Sequence, residues 1–176
     1  MNIYQNILLA KNEGKKLLAV LIDPEKIDVK NIDSFFKKVH QSITTHIFVG
    51  GSTDHQNLTE TIVSAIKKVT HLPVILFPGD VSQISKKADG ILFLSLLSGR
   101  NPEYLISQQI KAAPILKNST LEVLPTGYLL IDNVSVNKNL LSKPNFLRCL
   151  VKSFVSIILS ILLSTMVYTI NSFLVV

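Results

Sequence analysis

Leu17-Leu18-Ala19-Val20-Leu21-Ile22-Asp23-Pro24-Glu25-Lys26 contains six consecutive apolar residues that stop at an acid and a proline. The run is continuous and does not alternate, as a strand buried on both faces requires, and such strands belong to parallel sheets covered by helices. The pattern recurs downstream. His46-Ile47-Phe48-Val49 is halted by Gly50-Gly51, Val74-Ile75-Leu76-Phe77 by Pro78-Gly79, and Gly90-Ile91-Leu92-Phe93-Leu94 leads into Ser95. A further strand region spans Leu121 to Ile131 and is broken at Pro125-Thr126-Gly127. Between these runs lie helical patterns. Asn31 to His40 carries Ile32, Phe35, Phe36 and Val39 on one face, and Asn57 to Val69 carries Leu58, Ile62, Ala65 and Ile66. A short helical segment is expected over Val81 to Lys87 and a longer one over Pro102 to Leu116. Strand, helix, strand repeated in this way predicts right-handed βαβ units and a parallel α/β fold. It does not separate a barrel from an open doubly wound sheet, because the early units of each look alike.

The composition narrows the function. Net charge is +6, but the lysines are scattered as surface pairs such as Lys37-Lys38 and Lys67-Lys68, and tryptophan is absent. No basic block interleaves with aromatics, so nucleic acid is not an expected partner. Cys149 is the single cysteine, which excludes an intramolecular disulfide and points to a reducing cytoplasm. The start, Met1 to Lys16, lacks the basic, apolar and small-residue regions of a secretory signal.

In parallel α/β proteins the site stands at the carboxyl ends of the strands. The polar residues there are Asp23, Ser52 with Thr53, Asp80, Ser95, Ser98 to Asn101, and Thr126-Gly127-Tyr128. A carboxylate with hydroxyls near one point suits Mg²⁺, a hard cation that keeps waters and shares substrate phosphates. Each residue also has a plainer reading. Asp23-Pro24-Glu25-Lys26 can be a turn or helix cap. Gly50-Gly51 can be a bare strand-to-helix turn, or can let backbone N–H groups approach an anion. Arg100 can bind phosphate or snorkel at the surface, and Tyr128 can be core. The four histidines show no metal spacing.

Taken together, the segments are more specific. Ala19 to Lys26, Phe48 to Thr53, Pro73 to Gly79, Ser95 to Tyr104 and Glu122 to Tyr128 resemble, in order and spacing, the geranylgeranylglyceryl phosphate synthase family. The resemblance covers residues 1–132 and implies an α/β fold, a (β/α)₈ TIM-type barrel of which about five βα units are present. It implies Mg²⁺-dependent prenyl transfer in phospholipid biosynthesis. The C3 hydroxyl of sn-glycerol 1-phosphate would attack C1 of a polyprenyl (geranylgeranyl) diphosphate, forming an ether and releasing pyrophosphate. In the family's pattern Asp23 and Ser52 would hold the metal. Gly50, Gly51, Arg100, Asn101 and Tyr128 would line the substrate site.

After Asp132 the family pattern stops. The expected Tyr-Leu-Glu-Ala-Gly-Ser-Gly-like and Gly-Gly-Gly-Ile-like loops do not follow, and with them goes the glutamate expected as base, so the catalytic residue is unassigned. Residues 133–146 read as a linker and 147–176 as a hydrophobic tail, with no charge from Ser153 to Val176. The tail is expected to be helical. It reads either as the product of a frameshift or as a membrane segment, since it exceeds the 18 apolar residues that suggest a span. On either reading the missing units imply that the activity of the chain as written is impaired. The alternative function is a catalytically inactive membrane-associated or interaction protein. An open sheet edge in the barrel fragment would invite association, a homo-oligomer included.

Overall fold

The computed structural model describes residues 2–51, 54, 58–97 and 99–128, and the backbone of 168–170 and 173–175. Helix α1 (Ile3–Asn12) is followed by β1 (Leu18–Ile22), α2 (Ile32–Val39), β2 (His46–Val49), α3 (Thr59–Val69), β3 (Val74–Leu76) and β4 (Gly90–Leu96). A π-helical turn at Glu103–Ser107 leads into α4 (Gln108–Lys117), then β5 (Glu122–Tyr128). Two short strands, β6 (Tyr168–Ile170) and β7 (Phe173–Val175), come last.

Strand order settles what periodicity left open. The sheet runs β5-β4-β3-β2-β1-β7-β6, and β1 to β5 are parallel neighbours in the order of the sequence. A doubly wound sheet would reverse order at a switch point, whereas a barrel wall does not. The two faces agree. Val20, Ile22, Ile47, Val49, Val74, Leu76 and Ile91 pack on one side against Ile32, Phe36 and Val39 of α2, Ile62, Val63 and Ile66 of α3, and Ala112 and Leu116 of α4. All three helices therefore cover one face, the outside of a barrel wall. The alternate residues Ala19, Phe48, Ile75, Leu92 and Leu124 form a second core on the inner face, with Leu21, Phe77 and Leu94 beside them.

The reading of the residues did not include α1. Its signal is Asn2, whose side chain accepts from the Gln5 N–H, followed by Ile3, Ile7 and Ala10 at helical spacing. The helix closes the amino-terminal end of the inner face, where Ile3 and Ile7 join the second core. Its orphan donors are met across the structure. The Ile3 and Tyr4 N–H groups donate to the two carboxylate oxygens of Glu122, at 2.6 and 2.8 Å. Glu122 opens β5, so one carboxylate caps the first helix and fixes it to the fifth strand.

Three boundaries differ from expectation. The segment over 81–87 is a 3₁₀ turn at Val81–Gln83 only. β5 passes unbroken through Pro125-Thr126-Gly127. Proline is accommodated because β5 is the end strand of the sheet, where an N–H can be lost without breaking a ladder. The third concerns the tail, which is extended and not helical at 168–170 and 173–175. There β7 pairs antiparallel with β1, Ala19 opposite Leu174, and β6 pairs with β7. Tyr, Thr, Ile, Phe and Val favour strands, and the free edge of β1 offers unpaired backbone groups. Residues 129–167 lie outside the described residues, and with them 133–146 and most of the tail. Among the described residues no helix is long and apolar enough to cross a membrane.

Two outcomes follow for stability. Glu122→Ala removes both acceptors at the α1 terminus and should cost about 1–2 kcal/mol in urea unfolding. His46 opens β2 and is buried, and burial holds its ring below the usual histidine range. The folded state therefore prefers the neutral ring, while the unfolded chain takes up a proton as pH falls through about 6.5. This contribution is complete above that value and is lost as pH drops from it toward the lower folded value. The thermal midpoint should fall between pH 7.5 and 5.5, and His46→Gln should flatten that slope.

Candidate functional site

The carboxyl ends of β1 and β2 meet because two glycines allow it. Gly50 ends β2 at φ 157°, and a Cβ there would stand 1.9 Å from the Phe77 carbonyl oxygen. Only a residue without a side chain lets β2 pass so close to the end of β3, and the Gly50 N–H then donates to Ile22 O at 3.0 Å. Gly51 faces the other way. A Cβ on it would lie 3.1 Å from Oδ1 and 3.3 Å from Oδ2 of Asp23. The bare backbone of Gly51 thus packs directly on the Asp23 carboxylate.

Asp23 also fulfils its plainer reading. Its Oδ1 accepts from the Glu25 N–H at 3.0 Å, an Asx turn, and its Oδ2 pairs with Lys26 Nζ at 2.9 Å. The acid's side chain is 24% exposed and the lysine's 81%. The bond to Asp23 raises the Lys26 ammonium above its ordinary range. A pair this exposed contributes at most about 1 kcal/mol and exchanges easily.

Two glutamines that no sequence motif marks hold the surroundings. Gln83 is 1% exposed. Its Oε1 accepts from the Gly79 N–H at 3.0 Å and its Nε2 donates to Gly51 O at 3.1 Å, lashing the Pro78-Gly79 turn to the Gly50-Gly51 turn. Gln109 donates from Nε2 to Leu94 O at 2.7 Å and Tyr104 O at 2.9 Å, tying the π turn to the end of β4. A single sequence offers no signal for either, since the partners are backbone atoms of distant segments.

These elements border an open cavity of about 1150 Å³ whose lining is drawn from both faces of the sheet. Asp23, Lys26, Gly50, Gly51 and Asp80 give it a polar mouth, while Leu21, Phe77, Leu92, Leu94 and Tyr128 line its apolar part. Tyr128 stands edge-on to Phe77, with centroids 5.5 Å apart, and Phe77 stacks on Phe48 at 6.2 Å. Burial pushes the Tyr128 hydroxyl above its ordinary value. So Tyr128 is both packed and part of the cavity wall. Asp80 turns back on its own loop, its Oδ1 accepting from the Ser82 N–H at 2.7 Å.

The structure therefore joins Asp23, Gly50, Gly51 and Tyr128 around one space. Arg100 is exposed on the loop after β4, and neither it nor Asn101 lines the cavity. Asn101 instead caps the segment that follows, its Oδ1 accepting from the Glu103 N–H at 3.0 Å. Ser52, with Thr53 and Ser98, lies outside the described residues. Among the described residues no three His, Cys, Asp or Glu side chains form a metal cage.

A singly wound β/α wall, with a mostly apolar cavity that turns polar at the carboxyl ends of its strands, defines a barrel-type α/β protein. The chain belongs to the PcrB family, which it matches over residues 11–140. It is 58% identical over 131 residues to geranylgeranylglyceryl phosphate synthase of Flavobacterium johnsoniae, covering 74% of this chain and 54% of that protein. The corresponding protein of Zunongwangia profunda is 59% identical over 130 residues, 74% and 55% of the two chains. The chain spans about half the length of the curated relatives it matches. Among solved structures, the Thermoplasma acidophilum (S)-3-O-geranylgeranylglyceryl phosphate synthase in complex with sn-glycerol-1-phosphate superposes with a TM-score of 0.70 at 37% identity. That match covers 75% of this chain and 53% of the other. Wild-type GGGPS from Thermoplasma volcanium gives a TM-score of 0.74 at 29% identity, covering 92% and 66%.

The two glycines should respond differently to a methyl group. Gly50→Ala drives a Cβ into fixed backbone and should cost on the order of 3 kcal/mol or more by urea unfolding. Gly51→Ala presses only on a side chain, so the fold should survive with Asp23 displaced, seen as a changed Asp23 carboxyl resonance by NMR.

Proposed function

We propose that this chain acts on a polyprenyl diphosphate and sn-glycerol 1-phosphate, as a prenyltransferase of phospholipid biosynthesis that forms the ether at the C3 hydroxyl. The observation that carries the reading is the division of one cavity into a polar mouth at β1 and β2 and an apolar aromatic interior. The names of the relatives and the glycerol phosphate bound in the Thermoplasma acidophilum protein point the same way.

Mg²⁺ fits the residues present. The acids at the mouth, Asp23 and Asp80, are hard oxygen donors, and Mg²⁺ needs only one or two carboxylates when substrate phosphates supply the rest. Asp23 would hold it, with Ser52 as the second protein ligand. Bound there, the ion would neutralise charge on the departing diphosphate. The chain's own residues would do the remainder of the donor's work. Gly50 and Gly51 keep the mouth clear of side chains so that the diphosphate can approach Asp23. Leu92, Leu94, Phe77 and Tyr128 would hold the prenyl chain and exclude water from its allylic carbon. The ring faces of Phe77 and Tyr128 favour the cationic character that develops there. Arg100 and Asn101 are proposed as contacts of the substrate's outer phosphate. The single cysteine, Cys149, accords with a cytoplasmic enzyme working on substrates drawn from the membrane.

The described residues build the donor half, so donor binding is the test. In calorimetry with Mg²⁺ present, geranylgeranyl diphosphate should bind at least about tenfold tighter than dimethylallyl diphosphate. That is well under the ceiling set by about 0.8 kcal/mol per buried methylene. Asp23→Asn should weaken both and leave their ratio intact. Equal affinities for the two donors would remove the prenyl assignment of the cavity.

A further inference from the structure

We propose that Lys26 is an exchangeable counter-ion of this site: it occupies Asp23 while the cavity is empty and passes to the donor's diphosphate when a divalent ion takes its place. This inference rests on the prenyl diphosphate reading of the cavity.

Among the described residues, three groups surround the Asp23 carboxylate. The Gly51 backbone packs on the carboxylate, close enough that an added Cβ would stand 3.1 Å from Oδ1. Oδ1 also accepts from the Glu25 N–H at 3.0 Å. Oδ2 is held by Lys26 Nζ at 2.9 Å. A cation approaching Oδ2 of Asp23 from the cavity therefore meets the ammonium on the same oxygen and is repelled by it. The two partners differ in mobility. Asp23 is fixed in the wall, while Lys26 is 81% exposed on a flexible four-carbon stem. Both line the cavity mouth, so a short swing of the stem keeps the ammonium inside the site. Once a divalent ion sits on Asp23, it repels Lys26, and an arriving diphosphate offers the ammonium several charged oxygens in exchange for one. Lys26 is thus a competitor of the metal and a helper of the diphosphate.

Those opposite roles give a signature that a merely structural lysine would not produce. Calorimetric titrations of the full 176-residue chain would use Mg²⁺ alone, then inorganic pyrophosphate with and without Mg²⁺. Lys26→Met should bind Mg²⁺ severalfold tighter than the wild type and pyrophosphate at least tenfold weaker, with an unchanged thermal midpoint. Lys26→Arg should recover most of the pyrophosphate affinity. Unchanged pyrophosphate binding by Lys26→Met, or a loss of Mg²⁺ affinity in that variant, would overturn the proposal. If Lys26→Met loses pyrophosphate while Mg²⁺ binds neither protein, the exchange is overturned together with the metal assignment. If Mg²⁺ binds Asp23 as proposed but Lys26→Met behaves as wild type, Lys26 alone is wrong and the reading of the cavity stands.

Discussion

The close passage of β2 over the end of β3 is the constraint from which the site follows. With Gly50 tight against the Phe77 carbonyl, the next residue is carried onto Asp23, and the Gln83 amide then has Gly51 O and the Gly79 N–H within reach at once. Three strand ends are thereby fixed relative to one another by backbone packing and one buried amide. No ion pair is needed to set their spacing. That separation between what builds the site and what works in it is visible in the exposures: Gln83 is sealed, and Lys26 is almost wholly in water.

The second organising feature is the division of labour between the two faces of the wall. Alternate residues of each strand serve different cores. Val20, Ile22, Val49 and Leu76 bind helices on the outside, while Leu21, Phe48, Phe77 and Leu94 face inward, where among the described residues α1 is the helix that joins them. The amino-terminal end of that inner face is closed by α1 and the other end is left open. Among the described residues, the open end is the one that carries Asp23. Polarity and topology give the cavity its direction.

Much of this was legible because the strands announce themselves. Runs such as Leu17 to Ile22 are too continuous for any exposed sheet, and their terminators, Asp23-Pro24 and Gly50-Gly51, are the residues that form the mouth. Barrel against open sheet was not legible, because the difference lies in which strands become neighbours and which face the helices share. Gln83 and Gln109 were hidden for a similar reason, as each bonds to main-chain atoms that any residue would supply. Helix α1 carried a signal in Asn2, Ile3, Ile7 and Ala10 that the reading of strands passed over. At 168–170 and 173–175 the tail is extended where a helix was expected, because its β-branched and aromatic residues suit a strand.

The bond between α1 and Glu122 has a bearing on how the chain comes to be folded. It joins residues separated by 119 positions, so the first helix to leave the ribosome is among the last to find its seat. Contacts of such long range form late, after the loop-closure entropy has been met by the intervening units. Synthesis at about 5–20 residues per second leaves Ile3 and Ile7 waiting several seconds for β5. Through that interval the segment lacks the β5 carboxylate that caps it, and its docking marks the moment at which the first helix and the fifth strand of the wall are joined.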